Sequence, residues 1–174
     1  LEYADYGLTA GLAKAAYAAT YNILDKIAVF LKWELALPES ETDTSFRRVW
    51  HPDRRSKTLR SEIREKDDPN LYALYDMALE LGQPAFKYLG DLRRAITHRH
   101  LVTHDWLRMV GEHSTEQEHI LLDDLISSGI TMLKFVKAAL VYLAAYLSQE
   151  HERRMHAAQG LVAPLEFWWQ DELR

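Results

Sequence analysis

The sequence lacks cysteine, so disulfide bonds, thiolate metal ligands and a cysteine nucleophile are all excluded. It also lacks an initial methionine and a signal peptide, and we expect one domain over residues 1–174, excised from a longer cytoplasmic protein. No apolar run reaches the ~18–20 residues that a membrane span requires. The longest candidate, Ala138–Leu147, is shorter and is flanked by charges, so we expect no membrane partner.

Excess positive charge is missing as well, and the formal net charge of −5 argues against non-specific nucleic-acid binding. One segment departs from this average, because residues 47–66 contain eight basic and three acidic side chains. Such a basic strip can hold a phosphate backbone, although a solvated loop and helix face would have the same composition. Within the strip, we assign four arginines to RNA binding: Arg47, Arg48, Arg54 and Arg55.

Helical periodicity is the main signal of the sequence, in which apolar residues make up 48%. Apolar positions three and four apart predict long helices over residues 5–33 and 115–159. Prolines at favoured first-turn positions open two shorter helices, one over residues 69–81 and one from residue 84 to His98 or His100. We therefore predict an all-α, up-and-down four-helix bundle, with a short extra helix over residues 57–66 and an irregular basic insertion before it.

The apolar stripes of the two long helices predict which faces are buried. The first stripe comprises Leu8, Leu12, Ala15, Ala19, Ile23, Ile27, Phe30 and Leu31. The second comprises Leu122, Ile126, Ile130, Leu133, Val136, Leu140, Leu143 and Leu147. Ser114 and Gln117 have the capping-box spacing that marks a helix start. We predict no strand pair, although residues 100–104 alternate and are compatible with an extended segment, and we expect the aromatic tail 161–169 to pack on a groove.

The stretch that carries chemistry contains Arg93, Arg94, His98, Arg99, His100, His104 and Asp105. RNA supplies its own nucleophile, the ribose 2′-hydroxyl. A histidine can take the proton of that hydroxyl or protonate the leaving 5′-oxygen, because imidazole titrates near neutral pH. An arginine can neutralise the charge that gathers on the phosphoryl oxygens through fixed N–H donors. This chemistry requires no metal ion and no cofactor.

The spacing of these residues on a helix limits which of them can act together. Arg93 and His98 are five residues apart, which separates them by roughly 140° around a helix. Both can line one groove if the helix ends at His98. Arg94 and His98 are four apart and share a face. Because a base and an acid are both needed, two copies of the chain across a twofold axis would double the available groups.

The pattern Arg93-x4-His98, late in a helix of a four-helix bundle, resembles the HEPN superfamily (higher eukaryotes and prokaryotes nucleotide-binding). Further phrases resemble a HEPN subgroup found at the C-terminus of bacterial TPR proteins. They are Asp-Tyr-Gly-Leu at residues 5–8, Ser-Phe-Arg at 45–47, Leu-Tyr-Ala-Leu-Tyr-Asp at 71–76 and the stretch 92–105. The resemblance covers most of the chain up to about Leu147.

This resemblance implies a metal-independent endoribonuclease that acts as a homodimer in phage defence or in a toxin system. It implies that Arg93 binds the scissile phosphate and that His98 is a general acid or base, with Arg94 and Arg99 assisting. An attached TPR or sensor domain, or an antitoxin, is the implied partner besides RNA. The chain has Arg94 where the family often has Asn. It has His100 where toxins paired with a nucleotidyltransferase often have Tyr, so a tyrosine-modification switch is not supported.

Other interpretations of the same residues stay open. The protein could be a non-catalytic HEPN module for dimerisation or RNA binding in a larger protein, which Arg94 in place of Asn motivates. Arg93 and Arg94 could merely complement a helix dipole. His100 and His104 have the spacing of helical zinc ligands, but there is no HExxH motif and we predict no metal site. We assign supporting roles to both histidines and to Asp105, which could orient a neighbour by hydrogen bonding.

Overall fold

The computed structural model describes residues 7–38, 44–53, 55–56, 58–104 and 117–158. Its elements in chain order are α1 (Leu8–Glu34), α2 (Ser61–Lys66), α3 (Pro69–Glu80), α4 (Pro84–His98), β1 (His100–His104), β2 (Gln117–Leu121) and α5 (Leu122–Ala157). Helix α1 packs against α4 and α5, and α3 packs against α5. The predicted all-α bundle with a short extra helix is therefore confirmed. The described residues directly before α2 (44–53, 55–56 and 58–60) contain several turns, and we call them the basic segment.

Local sequence signals explain where the two middle helices begin. Helix α3 begins at Pro69, and the carboxylate of Asp68 caps it by accepting hydrogen bonds from the backbone N–H groups of Asn70 and Leu71, at 2.8 and 3.4 Å. Helix α4 begins at Pro84, where the missing N–H of proline costs no helical hydrogen bond. Both starts were predicted correctly.

The core lies between the long helices and the basic segment. Its largest fully buried side chains include Tyr17 of α1, Tyr146 of α5, and Phe46 and Trp50 of the segment before α2. The hydroxyl of Tyr17 donates to the carbonyl oxygen of Leu89 at 2.8 Å, which fixes α1 against α4 inside the core. The ring of Trp50 lies against that of Tyr75 on α3, and the backbone N–H of Phe46 donates to Asp25 on α1, so the basic segment is attached to both helices.

The prediction that no strand pair exists was wrong. Strands β1 and β2 pair in parallel, with His100 opposite Gln117 and His104 opposite Leu121. Helix α5 therefore begins at Leu122, seven residues later than predicted, and Gln117 belongs to a strand. A capping box is a local signal, whereas the parallel pairing depends on a contact distant in sequence, and the contact prevails here. Ser114 lies outside the described residues.

The predicted buried faces of the long helices were partly wrong. Helix α1 buries Tyr21, Leu24 and Ala28, whereas Leu8 and Leu12 of the predicted stripe are 79% and 60% exposed. Helix α5 likewise exposes part of its predicted stripe, and Leu133 is 55% exposed. Periodicity detects an apolar stripe, but it cannot tell whether the same chain covers it, because both helices carry apolar residues on more than one face.

Helix α5 also bears on the membrane prediction. An 18-residue window within it has a mean hydropathy of 1.6, so in the described part of the chain this one helix could cross a membrane by length and composition. Only 28% of that window is buried. The sequence-based search for an uninterrupted apolar run was therefore too strict. Core helices of soluble proteins pass the same test, so this property is weak evidence for a membrane span.

The predicted packing of the tail 161–169 lies outside the described residues.

Candidate nucleic-acid interface

A cavity with a volume of about 800 Å³ lies between α1, the basic segment and α4. This is the size range of small-molecule and cofactor sites. Its lining residues are Tyr21, Asp25, Ser45, Phe46, Arg47, Arg48, His51, Asp53, Leu81, Gly82, Lys87, Gly90, Asp91, Arg93 and Arg94. The fold thus brings together two arginine pairs that the sequence analysis proposed for one RNA site and that lie far apart in the chain.

The lining charges favour an anionic ligand. Five of the side chains are cationic and three are carboxylates, so the cavity has a net positive charge of two when His51 is neutral. Arginine binds phosphate in a bidentate way through its planar fork of N–H donors. The overall net charge of −5 therefore hides a local excess of positive charge, which is suited to a phosphate group.

Arg93 is held in place by side chains of α1. Its guanidinium donates to Oδ2 of Asp25 at 2.9 Å and to Oδ1 of Asn22 at 3.1 Å. The Cζ atom lies 4.7 Å from the ring centroid of Tyr21, a cation–π distance. The Nε atom of Arg93 is buried and has no hydrogen-bond partner among the described residues. Side chains of α1 thus fix the arginine in the wall of the cavity.

Asp25 connects the three elements that form the cavity. Its Oδ2 atom binds Arg93 of α4, and its Oδ1 atom accepts the backbone N–H of Phe46 at 3.2 Å. A carboxylate on α1 therefore positions both the arginine on α4 and the start of the basic segment. Burial and the negative charge of Asp25 raise the pKa of the adjacent Tyr21 hydroxyl, although Arg93 opposes this effect. Tyr21 stays a neutral hydrogen-bond donor at physiological pH.

Buried anchors alternate with cavity-lining residues in the basic segment. Phe46 and Trp50 are buried, and the indole Nε1 of Trp50 donates to the carbonyl oxygen of Phe46 at 2.6 Å. Between and after these anchors, Arg47, Arg48 and His51 line the cavity. The buried Phe46 and Trp50 therefore hold the basic residues beside them in the wall of the cavity.

Gly82 leaves space for one of these arginines. A Cβ atom added at this position would lie 3.1 Å from Nη2 of Arg47 and 3.1 Å from the carbonyl oxygen of Leu79. Both distances are tighter than ordinary contacts. The glycine after α3 therefore permits the guanidinium of Arg47 to approach the turn between α3 and α4.

His98 is the last residue of α4, and its side chain is exposed. It does not line the cavity, whereas Arg94, four residues earlier, does. Lys87, Asp91, Arg94 and His98 are spaced along one face of the helix, because residues four and seven apart align. His98 therefore continues the cavity-facing row one turn beyond Arg94, about 6 Å further along the helix axis. Arg94 itself forms an ion pair with Asp91.

The remaining candidate residues lie elsewhere. Arg99 donates to the carboxylate of Glu118 on β2 at 2.6 Å, away from the cavity. Arg55 is exposed at the end of the segment, where its backbone N–H donates to Asp53 at 2.7 Å. His100 belongs to β1. Arg54 and Asp105 fall outside the described residues.

His104 pairs with a histidine that the sequence analysis did not single out. Its Nε2 atom lies 2.8 Å from Nδ1 of His119 on β2, and the two rings stack with centroids 5.1 Å apart. His104 is only 8% exposed, so it forms part of the packing between the strands and does not reach the cavity. Within the described residues, no group of three or more potential ligands could hold a metal ion.

Sequence reasoning missed Asp25, Tyr21, Gly82 and His51. The first three lie in ordinary helix or turn sequence, so no local signal distinguishes them. His51 could have been found, because it directly follows the anchor Trp50 in the basic strip and is the only histidine of residues 47–66.

Residues 1–150 match the LA2681-like HEPN family. Comparisons with curated proteins and with solved structures gave no match.

Proposed function

The chain belongs to the LA2681-like HEPN family, and from this premise we propose that it is a metal-independent endoribonuclease. HEPN domains are often ribonucleases or toxin-like proteins. The observation that carries the proposal is the cavity, in which Arg47, Arg48, Arg93 and Arg94 converge from two separate parts of the chain. Four guanidinium groups around one space are suited to a phosphodiester and to the extra charge of its transition state.

In the proposed reaction, the 2′-hydroxyl oxygen attacks the adjacent phosphorus and the bond to the 5′-oxygen breaks. Arg93 and Arg94 neutralise the phosphoryl oxygens. Because Arg93 is already fixed by Asp25, its donors need little reorganisation when charge develops. His98 transfers a proton at the rim of the cavity, where it is accessible to the chain that leaves.

The basic residues around the cavity then guide the RNA backbone into it. Arg47, Arg48 and the exposed Arg55 extend the positive surface along the segment, with Arg54 in the same strip. Arg99, which follows His98, would bind RNA only by exchanging its ion pair with Glu118 for a phosphate. Contacts of this kind release counterions, so the affinity for RNA should fall steeply as the salt concentration rises.

The proposed active form is a homodimer. Helices α1 and α5 both expose apolar stripes, which include Leu8, Leu12 and Trp33 on α1 and Leu133 and Val141 on α5. Rows of exposed apolar residues are typical of protein interfaces, and a second copy of the chain is the occupant that the family resemblance implies. We further infer a cytoplasmic role in phage defence or as a toxin, with a TPR or sensor domain or an antitoxin controlling it.

Cleavage of total RNA in buffer with EDTA tests the catalytic proposal. We expect the purified protein to cut RNA under these conditions, and we expect Arg93→Ala and His98→Ala to lower the rate by about 10²-fold or more. His156→Ala is the matched control, because His156 is also an exposed histidine in the last turn of a helix. Cleavage by His98→Ala at the rate of the unchanged protein would refute the role of His98.

One observation favours a second candidate, an RNA-binding HEPN module without catalysis. Arg93 is occupied by Asp25 and Asn22, and His98 lies outside the cavity that holds the arginines. This candidate predicts that the protein binds RNA in a salt-dependent way and that prolonged incubation yields no cut products. The same incubation therefore separates the two candidates.

A further inference from the structure

The arginine cavity contains a histidine of its own. His51 lines the same space as Arg93 and Arg94, although it comes from the basic segment and not from α4. A reaction that deprotonates a hydroxyl and protonates a leaving oxygen needs two proton-transfer groups. Within one chain, His98 supplies one such group at the rim, and the cavity itself supplies the other.

The surroundings of His51 fix both its orientation and its tautomer. Its Nδ1 atom lies 3.0 Å from the carbonyl oxygen of Thr58. A carbonyl oxygen only accepts hydrogen bonds, so Nδ1 carries the proton, and the neutral ring has its lone pair on Nε2. The ring also packs edge-on against Tyr75, with centroids 5.8 Å apart, and Tyr75 contacts the buried Trp50. A histidine held in this way is suited to accept a proton at Nε2.

We propose that His51 is a catalytic residue of this site, the general base that takes the proton of the RNA 2′-hydroxyl. The inference rests on the proposed ribonuclease function and extends it, because it assigns the base to His51 and leaves the acid to His98. The two imidazoles then act from different elements: His51 lines the cavity together with Arg93 and Arg94, and His98 follows those arginines at the end of α4.

The Nε2 atom of His51 takes the proton of the 2′-hydroxyl while the 2′-oxygen forms a bond to phosphorus. The bond between phosphorus and the 5′-oxygen breaks, and His98 gives a proton to that oxygen. The products are a 2′,3′-cyclic phosphate and a 5′-hydroxyl, and both histidines regain their starting states by exchanging one proton each with water.

A substrate in which sulfur replaces the bridging 5′-oxygen of one linkage distinguishes a base from an acid. A thiolate leaves without protonation, because thiols are far more acidic than alcohols. Loss of the acid is therefore rescued on this substrate, whereas loss of the base is not. Cleavage of the oxygen and sulfur substrates is measured in EDTA for the full chain and for His51→Asn, which retains an N–H donor for Thr58. His151→Asn, an exposed position on α5, is the control.

We expect His51→Asn to be slower by about 10²-fold or more on both substrates, with RNA binding and the melting temperature preserved. We expect His98→Ala to recover most of its rate on the sulfur substrate only. If His51→Asn is as fast as the unchanged chain, or recovers on sulfur, the assignment of the base is wrong. If the unchanged chain cuts neither substrate, the proposed function fails as well.

A second variant separates the loss of the base from a loss of folding at this position. His51→Gly removes the ring and leaves space that free imidazole can enter. If His51 is the base, added imidazole restores cleavage by His51→Gly at least several-fold, and it has no such effect on His98→Ala with the sulfur substrate. If imidazole fails to restore a folded His51→Gly protein, the ring has only a packing role and the proposal is overturned.

Discussion

At the scale of single residues, the site depends on Asp25. This one carboxylate accepts from Arg93 and from the backbone of Phe46, and it lies beside Tyr21. Only the contact with Tyr21, four residues earlier on α1, follows from helical spacing, because Arg93 and Phe46 belong to other parts of the chain. Arg93, which the Arg-x4-His motif identifies, is therefore positioned by Asp25, which belongs to no motif.

Replacing Asp25 with Ala should both destabilise the protein and slow RNA cleavage. Loss of hydrogen bonds to a charged group costs about 1–3 kcal/mol, and Arg93 would lose the partner that fixes it. Thermal unfolding and the cleavage rate measure the two effects. Asp76→Ala, at an exposed acidic position in the middle of α3, should change neither, and equal losses in both variants would argue against a specific role for Asp25.

At the scale of elements, the turn between α3 and α4 determines how closely Arg47 approaches the cavity wall. Gly82→Ala should lower the affinity for RNA by about 3–10-fold, because the new Cβ would displace the guanidinium. Gly11→Ala on α1, where nothing lies within 4 Å, should leave affinity unchanged and stabilise the helix by about 0.5–1 kcal/mol. Filter binding and thermal unfolding test the pair. Unchanged affinity in Gly82→Ala would mean that RNA binding does not depend on the position of Arg47 beside this turn.

A charged network joins α2 to α5 and makes stability depend on pH. Hydrogen bonds from Lys66, at 2.8 Å, and from Arg154 lower the pKa of Glu150 below its usual 4.5. A lowered pKa contributes stability above the unfolded value of about 4.5, and this contribution is lost as the pH falls through the folded value. Glu150→Gln should thus be less stable than the unchanged chain at pH 7, with the difference shrinking below about pH 4.5. A difference that is constant from pH 7 to pH 3 would contradict this account.

Elements marked by a local sequence signal were predictable, and elements that depend on contacts distant in sequence were not. Pro69 and Pro84 fixed two helix starts, and the alternation of residues 100–104 indicated an extended segment. Strand β2 escaped prediction because only its pairing with β1 makes it a strand. The candidate site divides in the same way: the arginines stand out by charge, whereas Asp25 and Gly82 matter only through what the fold places beside them.

At the scale of the whole molecule, the exposed stripes of α1 and α5 have a consequence for assembly. The sequence pattern predicted these residues to be buried, and the single chain leaves Leu12 and Leu133 exposed. A second copy that covers them would reconcile the pattern with the structure. The double variant Leu12→Glu/Leu133→Glu should therefore be monomeric in light scattering while the unchanged chain is a dimer.

Two controls show whether the double variant loses only its ability to dimerise. Because both leucines are exposed within one chain, the variant should retain its helical circular dichroism. Ser148→Glu adds a charge at an exposed polar position of α5 and should leave the mass unchanged. A monomeric mass for the unchanged chain, at concentrations where it is active, would rule out the dimer.

The central claim is that arginines gathered by the fold, together with a histidine, break RNA with no help from a metal ion. The most direct measurement is mass spectrometry of the ends formed when the purified chain is incubated with a defined RNA in excess EDTA. The account predicts fragments that end in a 2′,3′-cyclic phosphate and begin with a 5′-hydroxyl. Intact RNA after prolonged incubation, or fragments with 5′-phosphate ends, would contradict it.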